Sequence, residues 1–374
     1  MTKQQLRQFW FQIHKWLGLT LALLIIPISI TGAALVWHDD LELALNPERR
    51  TNVQASLEPS AYAAAARSHA APGERLASLA FHPQGGPVVA SLASKTQPGG
   101  GRPVRTMLYL DPADARLLDK AKSNEGVVHI MHVLHGSLMV PGVGRQIVGW
   151  IGVAMLLSSL TGLWLWWPLK GRFTRGFRWR RNPATSANLH YQGGFWIALP
   201  LAILSFTGAW ISFPAFFAAL SGDPAGPSAA ERMRRMGAQP IAETRYSPDQ
   251  ALSLAAPAAT GPLTQLVWPT SIDPRWKASF QQLGGPAEVT VEDRSGKVSP
   301  PKPPQPETTA RLMRRIHDGT GMGIVWQIII FIGGILPAVL AVTGIMMWLK
   351  VRRRRREMEG RRGQRGVAGL AAAE

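Results

Sequence analysis

The sequence predicts an α-helical membrane protein: a four-helix transmembrane bundle built as a tandem parallel repeat, with two small α+β domains on the far side of the membrane. Three observations carry this. Apolar runs free of Asp, Glu, Lys and Arg occupy residues 17–37, 146–169, 191–222 and 319–349. Basic residues cluster beside alternate ends of those runs, and the same short motifs recur at the same offsets in both halves of the chain.

Crossing about 30 Å of hydrocarbon takes roughly 20 helical residues. Each run passes that test, and an ionised side chain at the bilayer centre is strongly disfavoured. The predicted segments are 1–37 (N-terminal segment and first span), 38–145 (first outer domain), 146–169 (second span) and 170–189 (basic loop). They continue as 190–218 (third span), 219–322 (second outer domain), 323–349 (fourth span) and 350–374 (basic tail). The first run is long for a signal peptide, contains Pro27 and has no convincing small-x-small cleavage site before His38, so it reads as a retained anchor.

The formal charge of +18 is placed rather than spread. Lys3, Arg7 and Lys15 precede the first span, KGRFTRGFRWRR lies between the second and third, and Lys350 and 352–356 follow the fourth. The outer loops hold nearly all the Asp and Glu. Short basic flanks stay in the cytoplasm, so both termini and the 170–189 loop are expected inside. The charge is mainly a topology signal, with anionic lipid or an acidic cytosolic partner as a second use; nucleic acid is not expected. Cysteine is absent, which excludes disulfides, iron–sulfur clusters, thiolate metal sites and covalently attached c-type haem.

Thr-Gly pairs stand deep in all four runs, in ISITGAALVW, SSLTGLWLWW, LSFTGAWISF and LAVTGIMMWL. His14 precedes Thr31 by 17 residues, as His190 precedes Thr207; His135 precedes Thr161 by 26, as His317 precedes Thr343. These offsets mark residues 1–185 and 186–374 as duplicated halves, parallel and related by an axis along the membrane normal. Each loop carries an Ala-rich helical stretch, near 59–69 and 248–257, then about three strands. The strand pieces are LASLAF, PVVASLA and VRTMLYL in the first loop, LTQLVW, WKASFQ and AEVTVE in the second. Turn signals follow at Asp111-Pro-Ala-Asp and Asp293-Arg-Ser-Gly, and Pro/Gly linkers at 97–103 and 299–306 are expected to be solvated.

The symmetry brings His14 and His190 to one depth on the inner side and His135 and His317 to one depth on the outer side. Two neutral imidazoles facing each other from separate helices are what b-type haem takes as axial ligands. Gly18 and Gly194 follow His14 and His190 by four residues, and Gly32 and Gly208 follow by eighteen, on the same helical face. Missing side chains there admit either a porphyrin or a partner helix. His132 is a secondary candidate, replacing or flanking His135; His38, with Pro214 at its counterpart, is an interfacial residue or part of an acceptor site. The run His129-x-x-His132-x-x-His135 also leaves a zinc or copper site open.

RQFWFQIHKWLGLTLALLIIPISITGAALVW, IMHVLHGSLMV with SSLTGLWLWWP, LHYQGGFWIALPLAILSFTGAW and RIHDGTGMGIVWQ with LAVTGIMMWLK resemble the PepSY-associated transmembrane family. The loops resemble PepSY modules, although in YLDPADARLL the stretch Ala113-Asp114-Ala115 replaces the usual Thr-Gly of the strand ending. The chain is similar to the di-haem ferric-siderophore reductases of the ferrioxamine type. That resemblance implies a bacterial inner-membrane oxidoreductase carrying two noncovalent haem b, with His14, His190, His135 and His317 as iron ligands. It further implies a ferric siderophore in the periplasm and a reduced flavin or flavoprotein in the cytoplasm. Two other readings stand beside it: a haem-free PepSY-type regulator or protease-inhibiting anchor, and a transporter. The transporter reading lacks an intramembrane carboxylate or Lys for ion coupling.

The basic flanks predict that alkaline phosphatase fused after Gly222 is active in cells, and that fusions after Gly176 or Gly360 are inactive. A green fluorescent protein reporter, which matures only in the cytoplasm, gives the reverse pattern. Activity after Gly176 inverts the orientation.

Overall fold

The computed structural model describes residues 2–94, 103–167, 173–179, 182–223, 226–282, 285–303 and 306–371. The helices are α1 Lys3–Leu35, α2 His38–Leu45, α3 Pro59–Ser68, α4 Val127–Ser137, α5 Gly144–Trp166 and α6 Thr185–Ser212. They continue as α7 Pro214–Ser221, α8 Ala229–Met236, α9 Pro248–Ala255, α10 Thr309–Asp318 and α11 Gly323–Ala371. The strands are β1 Glu74–Ala80, β2 Val88–Ser94, β3 Arg105–Leu110, β4 Leu117–Lys122, β5 Leu263–Val267, β6 Arg275–Gln282, β7 Gly285–Glu292 and β8 Val298–Ser299. The chain divides into a helical unit (Met1–His38, Ile130–Ala225, Glu307–Glu374) and a sheet unit (Asp39–His129, Gly226–Pro306).

In the helical unit, α1, α5, α6 and the Gly323–Gly360 part of α11 are long and apolar enough to cross a membrane. α5 packs on α6, α1 on α11, and α6 on α11. Apolar side chains offer little drive for association in lipid, so close backbone approach at small residues matters. A Cβ on Gly334 would lie 2.7 Å from the Ala33 Cβ, and one on Gly152 would lie 3.1 Å from the Ser205 carbonyl. Large apolar side chains such as Leu23, Leu199 and Val325 point outward and exposed, as a lipid-facing surface requires. Basic residues also satisfy helix ends: the Arg7 guanidinium donates to the carbonyls of Trp167 and Leu165 beyond and within the last turn of α5. The Arg145 guanidinium donates to the Ile211 carbonyl near the end of α6 at 2.5 Å.

The third span differs from its expected extent of 190–218. α6 stops at Ser212, and α7 begins anew at Pro214. Pro214 lacks the N–H and crowds the preceding residue out of helical conformation, and Phe213 takes φ −114°, ψ 58°.

The expectation of two separate outer domains is corrected. Both loops contribute to one eight-stranded antiparallel sheet of order β4-β3-β2-β1-β5-β6-β7-β8, joined where Ser78, Leu79 and Ala80 pair with Val267, Leu266 and Gln265. Alone, each four-stranded meander would leave its apolar first strand as an open edge; pairing β1 with β5 removes both edges. The core includes Tyr62, Leu79, Leu92, Leu108, Leu266, Trp276 and Val289, with α3 and α9 packed against it. Six of the strands were expected. β4 (LLDKAK) and β8 are edge strands without an apolar run, which is why each meander has four strands and not three. The linker expected at 97–103 lies, except for Pro103, outside the described residues, as do 304 and 305 of the second linker.

The second turn signal is also a core device. Buried Asp293 accepts the Trp276 indole N–H at 2.9 Å and the backbone N–H groups of Arg245 at 3.0 Å and Tyr246 at 3.4 Å. Asp293→Ala strands these donors in the interior, at about 1–3 kcal/mol per unsatisfied group. It is expected to lower the denaturant midpoint of the sheet unit, followed by tryptophan fluorescence, by an amount matching several kcal/mol. Asp293→Asn, which keeps one acceptor oxygen, loses less.

Candidate functional site

Each of the four long helices presents a Thr-Gly pair, and each pair receives one histidine from another helix. His14 on α1 lies against Thr161-Gly162 of α5, and His190 on α6 against Thr343-Gly344 of α11. His135 on α4 lies against Gly32 of α1, and His317 on α10 against Thr207-Gly208 of α6. The short helices α4 and α10 precede spans and are turned back onto the bundle. The turn after α4 uses left-handed Leu138 and Met139 (φ 52° and 58°), and Gly319 caps α10 at φ 80°.

The socket has a consistent chemistry. The His14 Nδ1–H donates to the Ser158 carbonyl at 3.1 Å, His190 to Leu340 at 3.1 Å, His135 to Ile28 at 2.8 Å and His317 to Leu204 at 3.1 Å. In every case the acceptor stands three residues before the threonine. Three of the threonines add a second contact, with Oγ1 3.2 Å from His14, 3.1 Å from His190 and 3.0 Å from His317. Those hydroxyls donate to carbonyls one turn back, at Leu157, Val339 and Ile203, each at 2.8 Å, which turns their lone pairs toward the ring. A carbonyl only accepts, so each Nδ1 carries the proton and each Nε2 keeps a free lone pair. This is the orienting bond that metal-bound histidines show.

The glycine makes room for the ring. A Cβ would lie 3.1 Å from the His14 Cε1 at Gly162, 3.5 Å from that of His190 at Gly344, 3.1 Å from that of His317 at Gly208 and 2.6 Å from that of His135 at Gly32. This corrects the expected role of Gly32 and Gly208. Expected to admit a porphyrin or a partner helix, they receive the rings of His135 and His317 from α4 and α10. At Gly18 and Gly194 a Cβ would meet nothing within 4 Å, so those positions do face open space. The one-to-one match of four His with four Thr-Gly pairs was visible in the sequence. Which His enters which socket was not.

The sockets bring the rings together in pairs. His14 and His190 have centroids 6.2 Å apart at 82°, and His135 and His317 have centroids 6.0 Å apart at 41°. With metal–imidazole bonds of about 2.0–2.1 Å and the ring centre roughly 1.1 Å beyond the nitrogen, two rings trans across one metal stand about 6.3 Å apart; tetrahedral angles bring them to roughly 5 Å. Both pairs have the trans spacing. Among the described residues no three His, Asp or Glu converge on a point, so the His129-His132-His135 run does not form a zinc-type cluster there. A planar complex that brings its own equatorial ligands fits this donor set, and a bare ion does not. Desolvation holds His135 below the ordinary imidazole range; the same burial, and then the neighbouring His135, brings His317 to about 4. Both rings are therefore neutral near pH 7, as ligation requires.

The fold and these sites define a helical membrane protein with paired imidazoles at two levels of a four-helix bundle, whose connecting segments fold into an antiparallel sheet. Residues 11–350 match the family described as the PepSY-associated TM region, and the chain belongs to that family. No functionally curated protein matches it closely enough to lend it an activity.

Gly32→Ala drives a methyl group into the His135 ring. We expect a loss of stability of about 1–3 kcal/mol in thermal unfolding, as for an overpacked core. Gly193→Ala, whose Cβ would meet only Leu340 Cδ2 at an ordinary 3.7 Å, is expected to be neutral or slightly stabilising.

Proposed function

We propose that this protein is a multi-pass electron carrier of the bacterial inner membrane, with haem b held noncovalently at His14–His190 and at His135–His317. On this reading it reduces a periplasmic ferric siderophore with electrons from a cytoplasmic flavin or flavoprotein, both termini and the basic 170–189 loop lying inside. Its halves descend from a tandem duplication.

The observation that carries the reading is the trans spacing of 6.2 and 6.0 Å in two imidazole pairs whose Nδ1 atoms are already committed to helix carbonyls. When bound, haem supplies one-electron exchange that needs no proton transfer. The chain's own residues do the rest. The Thr-Gly sockets fix ring orientation and tautomer, and the apolar spans keep water from the centres. Gly18 and Gly194 leave the faces beside His14 and His190 unobstructed. The direction of transfer and the acceptor follow the resemblance to ferric-siderophore reductases, with which membership of the PepSY-associated family agrees.

The acceptor step is balanced by one electron: chelated Fe(III) becomes Fe(II), and no bond to the protein forms or breaks. Hard oxygen ligands hold Fe(III) more tightly than Fe(II), so reduction loosens the chelate. The sequence carries no Gly-rich phosphate loop, so on this reading the donor comes from outside the chain, and the basic charge of KGRFTRGFRWRR suits an acidic flavoprotein or anionic lipid.

Protein purified after haem-sufficient expression is expected to show a bis-imidazole b-type spectrum. His14→Ala and His317→Ala are each expected to remove one haem in a pyridine haemochrome assay, and the reduced protein is expected to be re-oxidised by ferric siderophore. Colourless protein of unchanged stability overturns the reading and favours the haem-free regulator.

A further inference from the structure

His38 and His132 were not expected to meet. His38 is the residue at which the chain leaves the helical unit, and His132 lies two residues past its return on α4. Their ring centroids are 6.0 Å apart at 82°. That separation equals the His135–His317 value, and the angle equals the His14–His190 value. The pair therefore has the trans spacing derived above and not the shorter tetrahedral one.

Three further observations point the same way. The His38 Nδ1–H donates to the Leu35 carbonyl at 3.1 Å, a bond that fixes the orientation of the ring. Gly136 follows His132 by four residues, as Gly18 follows His14 and Gly194 follows His190, and at all three a Cβ would meet nothing within 4 Å. Among the described residues no third His, Asp or Glu converges with the pair to complete a site for a bare ion. A ligand that brings its own equatorial donors suits such a pair.

We propose that His38 and His132 are the axial pair of a third haem, a centre with no counterpart in the second half of the chain, where Pro214 and Arg314 occupy the matching positions. The inference rests on the haem reading of the other two pairs. His132 and His135 lie three residues apart on α4, so they leave the helix one turn apart and about 60° round from each other. The third centre extends the series beyond His135–His317 in the direction in which α1 runs out to His38. Both rings are exposed, so this centre is the one open to a soluble acceptor.

The test is haem per chain in the purified full-length protein, by pyridine haemochrome, with stability followed in parallel. Three haems per chain, falling to two in His38→Ala and in His132→Ala, is the expected result. His38→Met supplies a ligand that imidazole–haem pairs accept, and is expected to keep three haems with one midpoint potential raised. Two haems per chain, unchanged by His38→Ala, His132→Ala and His38→Met, overturn the third centre and leave the other two standing. No haem at all overturns both readings. Two haems falling to one in His38→Ala uphold the pair as an axial site and remove the ligand role from one of the other pairs.

Discussion

The hydrogen bond from a histidine Nδ1–H to a helix carbonyl, three residues before a threonine, is the constraint on which the centre of this protein depends. It occurs four times. Each bond sets a tautomer and aims an Nε2 lone pair. It also ties one helix to another: α1 to α5, α6 to α11, α4 to α1 and α10 to α6. A buried donor without an acceptor is destabilising, and a carbonyl already in an α-helical ladder has a second lone pair to offer. The threonine hydroxyl strengthens three of the sockets, and glycine is the residue that lets an imidazole come this close to the backbone. At Gly32 the fit is tightest.

This arrangement reconciles two opposed demands. A membrane bundle gains from close packing of small residues, while imidazole rings brought in from other helices need room among them. Here the small residues are divided by position. Gly334 and Gly152 bring backbones together, Gly162, Gly344, Gly208 and Gly32 seat rings, and Gly18, Gly194 and Gly136 leave space. Burial keeps His135 and His317 neutral, so the state of this pair does not depend on a protonation event near pH 7.

The sheet unit follows a different logic. Its loops are interrupted by a span, the basic segment and a second span, yet they build one sheet through β1 and β5. LASLAF and LTQLVW both read as short strand-like pieces in the sequence. Nothing local in either says that each is the other's partner. β4 and β8 escaped notice because an edge strand needs no apolar run, and Asp293 looked like a turn residue because its role in the core depends on Trp276, Arg245 and Tyr246 arriving from other elements.

Uncharged length, charge asymmetry and repeated offsets determined the four spans, the existence of two histidine levels and the pairs His14–His190 and His135–His317, because these are properties of composition and spacing. The family resemblance was equally local, carried by short motifs. Only the tertiary structure decided that the Thr-Gly pairs are sockets, that Gly32 and Gly208 belong to His135 and His317, that the two loops close one sheet, and that His38 meets His132. Each of those is a choice among partners far apart in the chain. Symmetry places side chains at a depth, but contact depends on how α4 and α10 turn back onto the bundle, and that is settled by packing between helices.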